Sequence, residues 1–228
     1  PIMQRDMIKA IKNENYNNKS FISNNEVLRT LKMIYYKILF YVYHRILEYC
    51  DVVCANSTWT FNHLTKHYNL QPKRPKVTKS FKILYPPCDV SLSKSSTDCL
   101  SFDDRANDFL SIGQFRPEKN HKLLIQAFAK AIEEDPLGNN AATKDKTVSK
   151  YKLIMIGGCR NQEDQDRLEE LKTLAKKLEI SDNVQFYPNL PFEEKNNFLK
   201  LAKFGVRGMI DEHFGIVLVE FQAAGVIC

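Results

Sequence analysis

The sequence is poor in glycine, with 8 among 228 residues, and these fall into no G-x-G-x-x-G or Walker A pattern. A dinucleotide-dependent hydride enzyme and a P-loop nucleotidase both lose support on that ground. Paired cysteines are lacking too. Cys50, Cys54, Cys88, Cys99, Cys159 and Cys228 form no C-x-x-C pair, which excludes a zinc ribbon and a dithiol redox motif. Their scatter fits a reducing compartment better than a disulfide scaffold. The 5 histidines show no H-E-x-x-H or similar spacing, so a metal site has no support. No apolar run reaches the roughly 20 residues that a membrane-spanning helix needs. The densest stretch, 31–50, is broken by Lys37, His44 and Arg45.

What is present is ordinary globular material. Hydrophobic residues make up 43% and charged residues 26%, which rules out wholesale disorder or a fibrous repeat. The length lies between one large domain and two small ones, at roughly 150 residues per domain. A net charge of +6 suits an anionic ligand or a membrane surface. It is too weak and dispersed to argue for nucleic acid. The chain opens on Pro1 and closes on the apolar run Gly225-Val226-Ile227-Cys228, and reads as a fragment cut at both ends.

Residues 1–30 are polar and read as loop with one helix. The aromatic stretch 31–50 reads as a helix, either packed on a sheet or lying in a membrane interface. Residues 51–55 read as a buried strand, after which Ser57 or Thr58 can cap a helix. The Lys/Arg/Pro-rich 71–82 reads as loop, and Ser/Asp-rich 91–107 as linker. Beyond it the pattern becomes regular. Strands are expected at 109–112, 151–156, 184–187 and 204–210, and helices at 121–134, 163–178, 192–203 and 214–224. A polar insertion falls at 135–150. Such alternation predicts βαβ units on a parallel sheet.

Ligands of a parallel sheet sit beyond the carboxyl ends of its strands, and three strand ends here are unusual. The first is Gly113-Gln-Phe-Arg116-Pro-Glu-Lys119-Asn-His121. Its glycine admits close backbone approach, and two cations precede a helix N-terminus whose free N–H groups favour an anion. A phosphate group fits this combination, against a plain basic turn. The second end, Gly157-Gly158-Cys159-Arg160, repeats glycine plus cation more weakly. The third runs from Glu212 through His213, Phe214 and Gly215 to Glu220. Glu220 interrupts the apolar run 216–221, and burying a carboxylate there is costly unless it meets hydrogen-bond donors. Sugar hydroxyls would supply them; an outward-facing Glu is the alternative. Asp164-Gln-Asp166 resembles a metal-binding D-x-D motif, but its place at a helix start favours capping and dipole neutralisation.

Glu212 and Glu220 together form the E-x(7)-E pattern of retaining GT-B glycosyltransferases. IGQFRPEKNH (112–121), IGGCRNQED (156–164), YPPCD (85–89), NSTWT (56–60) and EHFGI (212–216) narrow the resemblance to the GDP-mannose-dependent α-1,2-mannosyltransferases of dolichol-linked oligosaccharide assembly. The resemblance covers roughly residues 31–228. It implies an α/β chain of GT-B type with two Rossmann-like domains. Residues 1–90 would be part of the N-terminal acceptor-side domain, 91–107 a linker, and 108–228 most of the C-terminal nucleotide-sugar domain.

The same resemblance implies a division of labour. Lys119 and Arg116 would bind the donor diphosphate. Glu212, with His213, Phe214 and Gly215, would hold the donor mannose and its phosphate, and Glu220 the ribose. Gly113, Gly157 and Arg160 would line the donor site, and 187–190 would lie near the guanine. GDP-mannose is the implied donor and a dolichol-linked oligosaccharide the acceptor, which receives its fourth and fifth mannoses with retention. No cofactor or metal is expected. Implied surroundings are the cytosolic face of the endoplasmic reticulum membrane and other mannosyltransferases of N-glycan precursor synthesis. Two departures stand out. Gln114 occupies the place of an Arg common in the superfamily. Arg207-Gly208-Met209-Ile210-Asp211 replaces a stretch that in close relatives reads like HTMWN. The competing readings are a GT-B transferase using another nucleotide sugar and an inactive fragment that only binds partners.

Overall fold

The computed structural model of the chain describes residues 11, 22, 24–68, 80–88, 100–134, 151–209 and 212–228. The chain divides into two compact units, Pro1–Pro86 and Pro87–Cys228.

In the first unit, helix α1 (Glu26–Tyr49) starts where the Asn25 side chain accepts hydrogen bonds from the N–H groups of Val27 and Leu28. Strand β1 (Val52–Ala55) follows, then α2 (Thr58–Tyr68) and β2 (Ser80–Ile83). Ser57, rather than Thr58, caps α2: its Oγ accepts from Thr60 N–H at 3.1 Å. Strands β1 and β2 pair in parallel, so the segment read as loop at 71–82 contains a strand from Ser80 onward. The Lys/Arg/Pro composition hid it. Val53, Ala55 and Leu64 form a small core with Phe61 and Phe81 against them, those two rings stacked at 4.2 Å. On α1, Tyr36 is buried, whereas Leu31, Ile34, Ile38 and Ile46 are exposed. Among the described residues no helix is long and apolar enough to cross a membrane. Residues 1–10, 12–21, 23, 69–79, 89–99, 135–150 and 210–211 lie outside the described residues, and with them much of the polar segment 1–30, the linker read at 91–107, the insertion at 135–150 and the end of the strand expected at 204–210.

The second unit runs β3 (Ala106–Ile112), a 3₁₀ turn (Pro117–Lys119), α3 (His121–Glu134), β4 (Lys152–Gly157), α4 (Gln162–Lys177), β5 (Val184–Pro188), α5 (Phe192–Leu201), β6 (Ala202–Gly205) and α6 (Ile216–Ala223). All four strands are parallel in the order β5-β4-β3-β6. Strand β4 shows why. Its Leu153 and Met155 enter one core with Phe115, Ile125, Leu168 and Leu171, and its Ile154 and Ile156 enter another with Leu110, Leu199 and Phe221. A strand buried on both faces reads as a continuous apolar run and needs helices on each side. Each fully buried large side chain contributes about 1.5–3 kcal/mol.

Several boundaries differ from the sequence reading. Strand β3 begins at Ala106, inside the expected linker. Helix α5 ends at Leu201 and β6 occupies Ala202–Gly205 instead of 204–210. Helix α6 begins at Ile216 rather than Phe214, because Gly215 caps it in the left-handed region at φ 77°, which glycine adopts freely.

Candidate functional site

The carboxyl ends of β3, β4 and β5 are stitched together by backbone hydrogen bonds. Gly113 N–H donates to Ile156 O at 2.9 Å, Phe115 N–H to Gly158 O at 3.1 Å, and Asn189 N–H to Gly157 O at 2.9 Å. The Asn189 side chain in turn accepts from Cys159 N–H at 2.8 Å. A Cβ on Gly157 would lie 2.1 Å from the Gly113 carbonyl oxygen, so close packing of two strand exits requires this glycine. At Gly113 a Cβ would meet only the Lys119 and His121 side chains, at 3.6–3.9 Å. The fold itself does not demand glycine there.

Past Gly113 the chain makes the 3₁₀ turn, with Pro117 at its start and Asn120 left-handed at φ 51°, donating to Pro117 O. The turn presents Lys119 half-buried, with Nζ donating to Met209 Sδ at 3.2 Å. Burial pushes the ammonium pKa down from its ordinary value, and the Glu212 carboxylate pulls the other way. The β6 exit packs onto this turn: a Cβ on Gly208 would lie 2.8 Å from Asn120 O and 3.1 Å from Lys119 O.

From the same exit comes Arg207. Its Nη1 donates to Ile112 O at 3.2 Å, and its Nη2 donates to the Glu212 carboxylate. The charges of Arg207 and Glu212 are both felt at Lys119. Lys119, Arg207 and Glu212 thus form one cluster, drawn from the exits of β3 and β6. Gly215 is pressed against Glu212, since a Cβ there would meet Glu212 Cγ at 3.1 Å. His213 and Phe214 lie half-buried between them. Arg207 was visible in the sequence only within a departure from a pattern and inside the strand expected at 204–210; the end of β6 at Gly205 is what puts it at a strand exit.

Glu220 lies four residues into α6 and meets a donor from the protein itself. Lys195 Nζ of α5 lies 3.1 Å from its Oε1, with both side chains mostly buried, and 4.6 Å from the Phe192 ring centroid. The buried-carboxylate argument found the need for a donor but not Lys195, which lies on another helix. At the β4 exit, Arg160 is held by buried Asp164, which accepts from both its N–H and its Nε. Asn161 caps α4 by accepting from Asp164 N–H, so Asp164 has the structural part expected at a helix start. Arg116 Nη1 lies 3.6 Å from Glu118. Tyr187 donates to Gln185 at 3.0 Å. Among the described residues, no three His, Cys, Asp or Glu side chains cluster to hold a metal ion.

Comparison with known proteins places this arrangement. Residues 97–228 match the family described as glycosyl transferases group 1, and residues 1–68 match the family described as ALG11 mannosyltransferase N-terminus. A mouse protein named GDP-Man:Man(3)GlcNAc(2)-PP-Dol alpha-1,2-mannosyltransferase is 39% identical over 100% of this chain and 44% of its own length. A protein of the same name from Xenopus tropicalis is 42% identical over 100% of this chain and 43% of its length. The chain therefore spans less than half the length of these curated relatives. Among solved structures, sucrose-phosphate synthase from Thermosynechococcus elongatus matches with a TM-score of 0.60 at 19% identity, covering 98% of this chain and 47% of that one. The architecture is GT-B.

Proposed function

The chain belongs to the glycosyl transferases group 1 family, and from that premise we propose that it carries the donor site for transfer of mannose from GDP-mannose to a dolichol-linked oligosaccharide. The names of its relatives support both substrates. The observation that carries the reading is the cluster of Lys119, Arg207 and Glu212 at the shared strand ends.

The bond between the mannose anomeric carbon and the GDP β-phosphate oxygen breaks, and negative charge builds on the departing phosphate. Lys119 stabilises that charge. In a desolvated site a preorganised cation of this kind contributes about 3 kcal/mol or more, and the diphosphate relieves the burial that depresses the Lys119 pKa. Arg116 contributes through its charge, which is felt at Lys119. Glu212, oriented by Arg207, accepts hydrogen bonds from mannose hydroxyls, with His213, Phe214 and Gly215 closing around sugar and phosphate. Glu220 accepts from the ribose, sharing its carboxylate with Lys195. Gly113 admits the diphosphate, with Gly157 and Arg160 on the neighbouring exit. The new α-1,2 bond forms on the face the phosphate leaves, through an oxocarbenium-like state, and the acceptor hydroxyl proton passes to the departing phosphate. Configuration is retained, and the scheme uses no metal ion. In this reading, as the family resemblance implies, the site of action is the cytosolic face of the endoplasmic reticulum membrane, beside other mannosyltransferases.

Mannose transfer is the test. Membranes from cells expressing the protein, given labelled GDP-mannose and a dolichol-pyrophosphate-linked acceptor, should form α-1,2-linked mannose. Lys119→Ala should lower the rate about a hundredfold or more. Incorporation from UDP-glucose in place of GDP-mannose, or an unimpaired Lys119→Ala, would contradict the reading.

A further inference from the structure

The ion pair between Lys195 and Glu220 links two helices that are already held together without it. Helix α5 gives Phe198 and Leu199, and α6 gives Leu218 and Phe221, to one apolar core. The pair adds a polar contact beside that core. It also stands at the ligand end of the sheet, because both helices start there: α5 follows the β5 exit, and α6 begins just past Glu212. Lys195 and Glu220 each lie near the start of their helix.

The ammonium is placed with some selectivity. Glu193 and Glu194, its neighbours in the chain, are exposed, yet Lys195 reaches across to the other helix. Its Nζ donates to Glu220 Oε1 at 3.1 Å and lies 4.6 Å from the Phe192 ring centroid. The two side chains are 16% and 19% exposed. An ion pair that keeps some contact with water returns little net stability, since holding a long side chain in one geometry costs entropy. What the contact does achieve is orientation. The terminal torsion of a glutamate is broad, and a charge-assisted hydrogen bond to one oxygen narrows it. Lys195 takes one acceptor position at Oε1. A carboxylate has about four, so Oε2 and the other side of Oε1 remain for a ligand.

We propose that Lys195 is a positioning residue for the nucleotide sugar. It fixes the Glu220 carboxylate so that both oxygens accept from two neighbouring hydroxyls, and the site thereby selects a ribonucleotide over one lacking them. The inference rests on the donor reading, in which Glu220 meets the ribose, and adds the residue that gives this contact its geometry. Lys195 acts through Glu220 and is assigned no contact with the nucleotide.

The test is a calorimetric titration of the chain with GDP and with 2′,3′-dideoxy-GDP. GDP should bind about tenfold or more tightly, because only it supplies the two hydroxyls. Lys195→Met removes the ammonium; it should weaken GDP several-fold and leave dideoxy-GDP within about twofold, so that the discrimination shrinks. Lys195→Arg, which restores a cationic donor, should recover it. Lys195→Gln serves in the same role if Lys195→Met fails to fold. On a Glu220→Gln background, removing the Lys195 ammonium should bring no further loss of discrimination, since coupled residues are not additive. Equal weakening of both nucleotides would make Lys195 a structural residue only. That result, unchanged or tighter GDP binding in folded Lys195→Met, or additive effects with Glu220→Gln would overturn the proposal. A parent chain that binds neither nucleotide would overturn the donor reading and this inference with it.

Discussion

At the scale of the residue, Gly113 and Gly157 occupy neighbouring strand exits for different physical reasons. A methyl group on Gly157 would collide with the Gly113 carbonyl oxygen at 2.1 Å, so Gly157→Ala should cost about 1–3 kcal/mol in urea denaturation. A methyl group on Gly113 would make ordinary contacts. Gly113→Ala should therefore change stability by less than about 0.5 kcal/mol, yet weaken GDP in a calorimetric titration, because the methyl fills the space assigned to the diphosphate. His121 gives a pH-dependent counterpart. Burial lowers its pKa below the ordinary 6.5, the charges of Lys119, Arg207 and Arg167 add to this, and the Gln114 carbonyl opposes it. The unfolded chain takes up a proton near pH 6.5 while the folded chain resists it, so this stability is complete above about pH 6.5 and is lost as the pH falls. Urea midpoints of His121→Phe should fall less steeply between about pH 7 and 5.5 than those of the parent; equal slopes would remove His121 from the account.

At the scale of the element, α6 is the piece whose placement decides the site, since Glu212 leads into it and Glu220 rides on it. Buried Arg105 holds its end. The guanidinium donates to Ala224 O at 2.7 Å, to Ala202 O at 3.3 Å and, through Nε, to Leu100 O at 3.3 Å. Arg105→Met would leave three carbonyls short of donors and should cost about 3 kcal/mol or more in chemical denaturation. Nothing in the sequence marks Arg105, which sits in a Ser/Asp-rich stretch and acts on residues about a hundred positions away. The same holds for Lys195 with Glu220, on different helices, and for Arg207 with Ile112 O. By contrast, β4 was legible from its unbroken apolar run, and α3 and α4 from their helical spacing. Their burial depends on local pattern, which a sequence displays directly. Strand β2 failed that test because its short run follows a stretch of charge and proline.

At the scale of the whole molecule, two units with parallel strands agree with the GT-B architecture, and a doubly covered four-stranded sheet carries the cluster assigned to the donor. The chain spans less than half the length of its curated relatives, and nucleotide binding tests the donor site without requiring an acceptor. The electrostatic cluster makes a specific demand of that binding. Lys119, half-buried with its ammonium disfavoured by burial, should hold its proton more tightly when a diphosphate arrives. GDP affinity should accordingly weaken as the pH rises toward the Lys119 pKa. The most direct measurement is a calorimetric titration of the chain with GDP, UDP and ADP under identical conditions, repeated on Lys119→Ala and Glu220→Ala. The account predicts selective binding of GDP that both substitutions weaken. Preference for UDP or ADP, or no nucleotide binding by a chain shown to be folded, would contradict it.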